Sequence, residues 1–211
     1  MKRLASRLRE AWKRFRGRRT VFIDCGANVG RVLQRQIQRF PAREYFAIEA
    51  NPELIPHIEA VRDRYPNSSI NIMHCAAWTS DGAIPFYLSG RNSEGRVVHD
   101  GSTAVLGKSP RHPLSGVIDY DHPIEVPSLD LSAWIRSTFV PSDVIYLKMD
   151  IEGAEYVVLD KMLQDRTLDY VKEAKVEFHY SDDGRISTID KRLHERIVEE
   201  VRCRTRLVEW H

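Results

Sequence analysis

Short apolar runs alternate with helically spaced apolar residues along nearly the whole chain, and this alternation restricts the fold more than any other feature. "TVFIDCG" is an apolar run ending in Asp24 and Gly26, and Val29, Val32, Leu33, Ile37 and Phe40 follow it at helical spacing. "EYFAIEA" is a second run. Asn51 and Pro52 then supply an N-cap and a first-turn proline for a helix carrying Leu54, Ile58, Val61 and Tyr65. "SINIMHCAAW", "VIYLKMD" and "EAKVEFHY" predict three more strands and "TRLVEW" a closing one, with helices expected over 130–138, 153–163 and 189–201. Strands alternating with helices build βαβ units, so the predicted class is α/β, a mostly parallel central sheet with helices on both faces. Residues 81–127 break the rhythm. They are rich in Gly, Ser, Pro and His, with strand-like pieces only at "IPFYL" and "IEV", and an insertion of that length reads as a lid or substrate loop.

A chain of 211 residues suits one well-buried domain, placed at 20–211 with the insertion inside it. No apolar run approaches the roughly 20 residues needed to span a bilayer. Cys25, Cys75 and Cys203 are odd in number and far apart, which argues against a disulfide framework or a zinc site and makes a reducing, cytoplasmic compartment the expectation. The net charge of +2 conceals a division: residues 1–19 carry nine Lys or Arg against Glu10 alone, so they hold +8 and the remainder −6. Leu4, Leu8, Trp12 and Phe15 recur at helical intervals among those bases, which predicts a basic amphipathic helix. Such a helix suits an anionic membrane surface or, less well, nucleic acid; alternatively its apolar stripe packs on the domain.

In doubly wound sheets ligands bind at the carboxyl ends of the strands, so the strand-end residues are the candidates for chemistry. "DCGANVG" fails the dinucleotide fingerprint, which would need glycines in place of Asn28 and Arg31, and a nicotinamide-dependent oxidoreductase is disfavoured. Asp24 instead suits a ligand bearing positive charge. S-adenosylmethionine (SAM) has an ammonium for an acid and a carboxylate for backbone N–H groups, while Gly26 and Gly30 let the chain bend and the helix approach. Glu49 ends the second strand, 25 residues beyond Asp24, where a carboxylate can accept from both ribose hydroxyls.

In order and spacing, "VFIDCGANVG", "AIEANP", "HCAAW", "VPSLDLSAWI" and "YLKMDIEGAEYVVL" resemble the blocks of FkbM-type SAM-dependent methyltransferases. The resemblance spans about Val21 to Tyr180, and "KMDIEGAE" is its most specific part. It implies a Rossmann-like class I methyltransferase fold and methyl transfer to oxygen, typically a hydroxyl of a sugar, glycan or small metabolite. It also implies a cofactor site drawn from Asp24, Gly26, Ala27, Asn28, Gly30, Glu49, Asn51 and Ala76. The basic segment departs from the family pattern, and the C-terminus is short for the closing hairpin of a seven-stranded sheet. A noncatalytic methyltransferase-like module, docking through the basic segment, is the alternative reading.

Asp150, Glu152 and Glu155 crowd the junction of the fourth strand and its helix. The helix dipole favours an acid there by only about 0.3–1 kcal/mol, too little to account for all three. Glu177 and His179, two apart, are expected on one face of the next strand, so His179 can meet Asp150 across the cleft. An alcohol needs a base before it attacks a methyl donor. His179 is the expected base and Asp150 its orienter or the base itself, with Glu152 beside them. A second reading makes Asp150, Glu152 and His179 ligands of a divalent metal. Lys148 is expected to contact a carboxylate. His99, His112 and His122 match no zinc pattern, and Trp78, Tyr87 and Tyr120 are candidates for lining an acceptor pocket.

Overall fold

The computed structural model describes residues 19–40, 42, 44–90, 101–107, 118–180 and 189–210. Six strands form one sheet: β1 (Thr20–Cys25), β2 (Glu44–Glu49), β3 (Ile70–His74), β7 (Val144–Met149), β8 (Val171–Glu177) and β9 (Arg206–Trp210). Their order is β3-β2-β1-β7-β8-β9, and every pairing is parallel. β1 and β2 are buried along all but their first residue, which is why they read as unbroken apolar runs. The sheet's last strand, β9, lies parallel to β8, so the described residues contain no closing hairpin.

The helices divide between the two faces. α1 (Arg31–Arg39) and α2 (Ile55–Arg64) pack Leu33, Ile58 and Val61 against Phe22, Tyr45 and Ala47. On the other face α3 (Leu131–Thr138), α4 (Glu155–Gln164) and α5 (Lys191–Arg202) bury Ile135, Leu159 and Ile197 against Ile23, Ile145 and Val176. Each fully buried Ile or Leu contributes roughly 1.5–3 kcal/mol, so both faces are needed to hold the sheet. Asp130 and Asp190 cap α3 and α5 by accepting from Ala133 and Leu193 N–H.

Two sequence expectations change. "SINIMHCAAW" is not one strand: Cys75 N–H donates to Met73 O in a tight turn, and β4 (Ala76–Trp78) leaves the main sheet. β4 pairs with β6 (Ile124–Asp130), which also holds β5 (Gly82–Phe86), giving a second sheet of three strands. The insertion is therefore partly built, not simply a polar loop, and its expected limit at 127 falls inside β6. Tyr87 and Ser89 extend this unit through bridges to Thr103 and Ile118.

Residues 1–18 of the expected basic helix lie outside the described residues. Arg19, grouped with them by charge, belongs to the domain. It is 4% exposed, donates to Glu44 and Asp143 carboxylates at 3.0 and 3.3 Å and to Thr138 O at 2.7 Å, and lies over the Phe139 ring. No described helix is long and apolar enough to cross a membrane.

Candidate active site

The strand order reverses between β1 and β7, and the chain leaving β1 touches the chain leaving β7 at that point. Asp150 N–H donates to Cys25 O at 3.1 Å, and a Cβ on Gly26 would stand 1.8 Å from Asp150 O. Gly26 also has φ +74°, so this position needs glycine for both its conformation and its clearance. At Gly30, where φ is +77°, a Cβ would meet Val61 of α2 at 3.0 Å.

Above this switch point lies a cavity with about 600 Å³ of space free of atoms, part of it open to solvent. Gly26, Asn28, Glu49, Asn51 and Ala76 line it, as expected of cofactor residues. Ile48, Leu54, Ala77 and Phe86 give it an apolar wall, and Asp150 and Glu152 border it opposite Glu49 on the chain after β7. Ser102 and Ala104 of the insertion complete the lining. Sequence reasoning missed these last residues and Phe86, because their approach depends on the second sheet. Trp78, Tyr87 and Tyr120 are not among the lining residues; Tyr87 packs its ring on Tyr120 at 5.0 Å. His99 and His112 lie outside the described residues, and His122 is exposed beside Asp119.

Glu49 is 7% exposed. Its oxygens accept from Asn51 N–H and Asn28 N–H, each at 2.8 Å, which fixes the carboxylate against the turn after β1. Burial pushes its pKa up, and the two N–H groups oppose that rise. Each oxygen retains a second lone pair, so the carboxylate can still accept from a vicinal diol.

Asp24 differs from expectation. It is fully buried, does not line the cavity, and has its counter-charge inside the protein: Lys148 Nζ stands 3.2 Å from Asp24 Oδ1 as an ion pair without a well-directed hydrogen bond. In the sheet Asp24 and Lys148 are register partners, so the lysine occupies the place assigned to a ligand's ammonium. Ala27 and Gly30 likewise are not among the lining residues; Ala27 belongs to the buried cluster under α1, and Gly30 lies against Val61. Lys148 also donates to Gly26 O at 2.6 Å and reaches Asp150 Oδ2 at 3.5 Å. Burial opposes its charge, but Asp24 and Asp150 outweigh burial and raise its pKa. One ammonium thus joins the glycine turn to the acid after β7.

The three crowded acids each have a cationic or N–H partner. Asp150 faces Lys148. Glu155, fully buried, accepts from Ile151 N–H and Gly153 N–H, both at 2.8 Å, and so folds the turn into α4. Glu152 has φ +58° and reaches His179 Nε2 at 3.1 Å, while Glu155 reaches His179 Nδ1 at 3.1 Å. Thr103 of the insertion donates to Glu152 O at 2.7 Å and pins this turn from outside.

His179, expected as the base, has both ring nitrogens engaged by these contacts. His179 lies beyond the end of β8, is 3% exposed, and presents both ring nitrogens to carboxylates. Burial disfavours its charge, but Glu155 and then Glu152 overcome burial and push its pKa up to about 11. An imidazolium has no lone pair with which to take a proton. Asp150 is the group with the right reserve: burial, partly offset by Lys148 and reinforced by Glu152 and Glu177, pushes its pKa up to about 7. Its side chain is 24% exposed.

Asp150, Glu155 and His179 each offer one ligand atom within 4.8 Å of the others, the grouping among the described residues that most resembles a cation site. Glu155 and His179 are committed to the turn amides and to each other, so a metal there would have to break the contacts that shape the turn.

An open parallel sheet with a glycine turn after its first strand, a carboxylate ending its second and a cavity over the switch point defines a doubly wound α/β domain with its candidate ligand site at the carboxyl ends of the strands. The sequence profile of the methyltransferase FkbM domain matches residues 24–202. The chain belongs to the FkbM methyltransferase family. It is similar to Methyltransferase 1 of Beauveria bassiana (strain ARSEF 2860), with 23% identity over 157 residues, 74% of this chain and 63% of that protein. It therefore spans less than two thirds of that curated relative. It is also similar to the crystal structure of methyltransferase FkbM from Methylobacillus flagellatus KT, with TM-score 0.42 and 16% identity over 70% of this chain and 30% of that one.

Proposed function

We propose that the chain is a SAM-dependent O-methyltransferase acting on a hydroxyl of a sugar, glycan or small metabolite. The observation that carries this reading is the pairing, in one cavity, of a nucleoside-type wall around Glu49 with a second strand-end carboxylate, Asp150, beside the glycine turn. Glu49 faces the cavity with lone pairs to spare, Gly26 and Asn28 present the turn after β1, and Ile48, Leu54 and Phe86 offer apolar surface for a flat base. That donor set fits SAM: Glu49 would hold the ribose, the apolar wall the adenine, and the turn the amino-acid end. Bound there, SAM supplies an electrophilic methyl group.

The chain's own part is proton handling and positioning. Asp150, ionised in a useful fraction at neutral pH, accepts the proton of the acceptor hydroxyl as that oxygen gains its new bond. Lys148 keeps its proton and holds Asp150 beside the glycine turn. His179 stays charged and, with Glu155, fixes the turn that carries Asp150 and Glu152.

Isothermal titration with S-adenosylhomocysteine, followed by turnover of a panel of hydroxyl acceptors, tests the reading. Micromolar binding is expected, and Asp150→Asn should keep that affinity while turnover falls by roughly 10²-fold or more, the low end for a lost general base. Absence of binding, or turnover unchanged in Asp150→Asn, would reject it. Turnover that requires added magnesium or manganese and disappears with chelator would favour the metal reading instead.

A further inference from the structure

We propose that Trp210 and Glu177 form the acceptor side of the site, an aromatic shelf with a carboxylate at its edge, and that they select a pyranose ring among hydroxyl-bearing acceptors. This inference rests on the methyltransferase reading above and adds to it the residues that would choose the acceptor. β7, β8 and β9 are neighbouring parallel strands, so their carboxyl ends meet the same edge of the sheet as the cofactor cavity. Register sets Lys148 beside Lys175 and Lys175 beside Val208, and it pairs Glu177 with Trp210. Side chains two apart on a strand share a face, so Glu177 and Trp210 stand on the face that carries Lys148, one step nearer the ligand edge.

The contacts agree with that row. Lys148 Nζ lies 5.5 Å from the centre of the Trp210 ring and 3.5 Å from Asp150 Oδ2, so the indole and the proposed base share one ammonium as neighbour. Lys175 Nζ lies over the same ring at 4.4 Å. Glu177 comes within 4.0 Å of His179 Nε2 and opposes the ionisation of Asp150, which puts its carboxylate beside the same turn. Its side chain is 17% exposed and Trp210 is partly exposed, whereas Lys148 is buried. A pyranose has C–H groups on its faces and hydroxyls around its rim. The indole offers an apolar surface to the faces, and Glu177 and Lys175 offer an acceptor and a donor to the rim. A ring seated on Trp210 would carry a rim hydroxyl toward Asp150. An open-chain alcohol has no face to stack, and a simple phenol has no rim of hydroxyls.

The test is saturation-transfer NMR of the full chain loaded with S-adenosylhomocysteine, against the methyl pyranosides of glucose, galactose and mannose, with glycerol and catechol as hydroxyl compounds that lack a pyranose ring. Transfer to the ring C–H protons of at least one pyranoside is expected, with none to glycerol and less to catechol. Trp210→Ala should weaken that pyranoside's affinity by roughly tenfold, the loss of one aromatic stacking contact with its buried area, and Trp210→Phe should recover most of it. Glu177→Gln, which leaves the shelf in place, should weaken it by a smaller factor, because a charged acceptor is exchanged for a neutral one. Affinity for S-adenosylhomocysteine should be the same in all of these variants. A Trp210 that only shields Lys148 would leave pyranoside affinity unmoved. No transfer to any pyranoside, equal transfer to catechol, or a pyranoside affinity unchanged in Trp210→Ala (in Glu177→Gln, if Trp210→Ala does not fold) would overturn this inference while leaving cofactor binding standing. Absence of S-adenosylhomocysteine binding by the unsubstituted chain would reject the methyltransferase reading, and this inference with it.

Discussion

Lys148 is the residue whose loss the structure prices most clearly. It is 2% exposed, its ammonium stands 3.2 Å from Asp24 and 3.5 Å from Asp150, and it donates to Gly26 O at 2.6 Å. At an effective dielectric near 20, each ion contact at such distances is worth about 5 kcal/mol before desolvation is counted. Lys148→Met preserves most of the side-chain length but leaves the buried Asp24 and the partly exposed Asp150 without their cation, and removal of one partner from a buried pair such as Lys148–Asp24 costs about 3–5 kcal/mol net. The cost depends on pH. Asp24 and Asp150 already have raised pKa values, and without Lys148 both rise further, so the folded variant retains protons that the unfolded chain has released. Its stability is greatest in acid and falls, by about 1.4 kcal/mol per pH unit for each extra proton held, as pH climbs from the ordinary carboxylate range toward the folded pKa. Urea denaturation at pH 5 and pH 8 should therefore show a deficit relative to the unsubstituted chain that is larger at pH 8. Adding Asp24→Asn to Lys148→Met should recover at least about 1 kcal/mol at pH 8, since one of the stranded charges is gone. A deficit under about 1 kcal/mol at pH 8, or one equal at both pH values, would refute the claim that this ammonium neutralises the two acids.

Gly26→Ala should abolish S-adenosylhomocysteine binding or prevent folding, because its Cβ would lie 1.8 Å from Asp150 O; retained micromolar affinity by calorimetry would show that the β1 and β7 connections do not meet as described. Arg19→Met should lower stability by about 3–5 kcal/mol in urea denaturation, since Glu44 and Asp143 lose their shared buried cation. A loss under about 1 kcal/mol would mean that Arg19 behaves as an exposed ion pair and not as a buried one. Thr103→Val is nearly isosteric but deletes the hydroxyl that donates to Glu152 O and accepts from Val105 N–H at 3.0 Å, so about 1–3 kcal/mol of stability should be lost. Because Ser102 and Ala104 line the cavity on either side, cofactor affinity should fall with it; unchanged melting and affinity together would mean that the insertion does not brace the site.

The parts of this molecule that were legible in sequence are those set by local burial. β1, β2 and β7 announce themselves because a strand covered on both faces must be apolar throughout, and Glu49 and Asp150 follow from the rule that parallel strands present their carboxyl ends to ligands. The second sheet was not legible, because β4 finds its partner in β6, about fifty residues later, and nothing in "HCAAW" encodes that distant edge. The partners of Asp24 and His179 were not legible for an electrostatic reason instead. A strand-end acid was read as facing a ligand, yet Lys148 interrupts an otherwise apolar strand, and an isolated lysine in such a strand needs a carboxylate within reach; register with β1 makes that carboxylate Asp24. His179 likewise has Glu152, Glu155 and Glu177 within 4.0 Å. One imidazole among three carboxylates is the nearest available cation, and it stays charged well above neutral pH. The same crowding acts on Asp150, where burial first, and then the neighbouring Glu152 and Glu177, oppose ionisation against the pull of Lys148, and this is why the proposed function gives the proton-accepting role to Asp150.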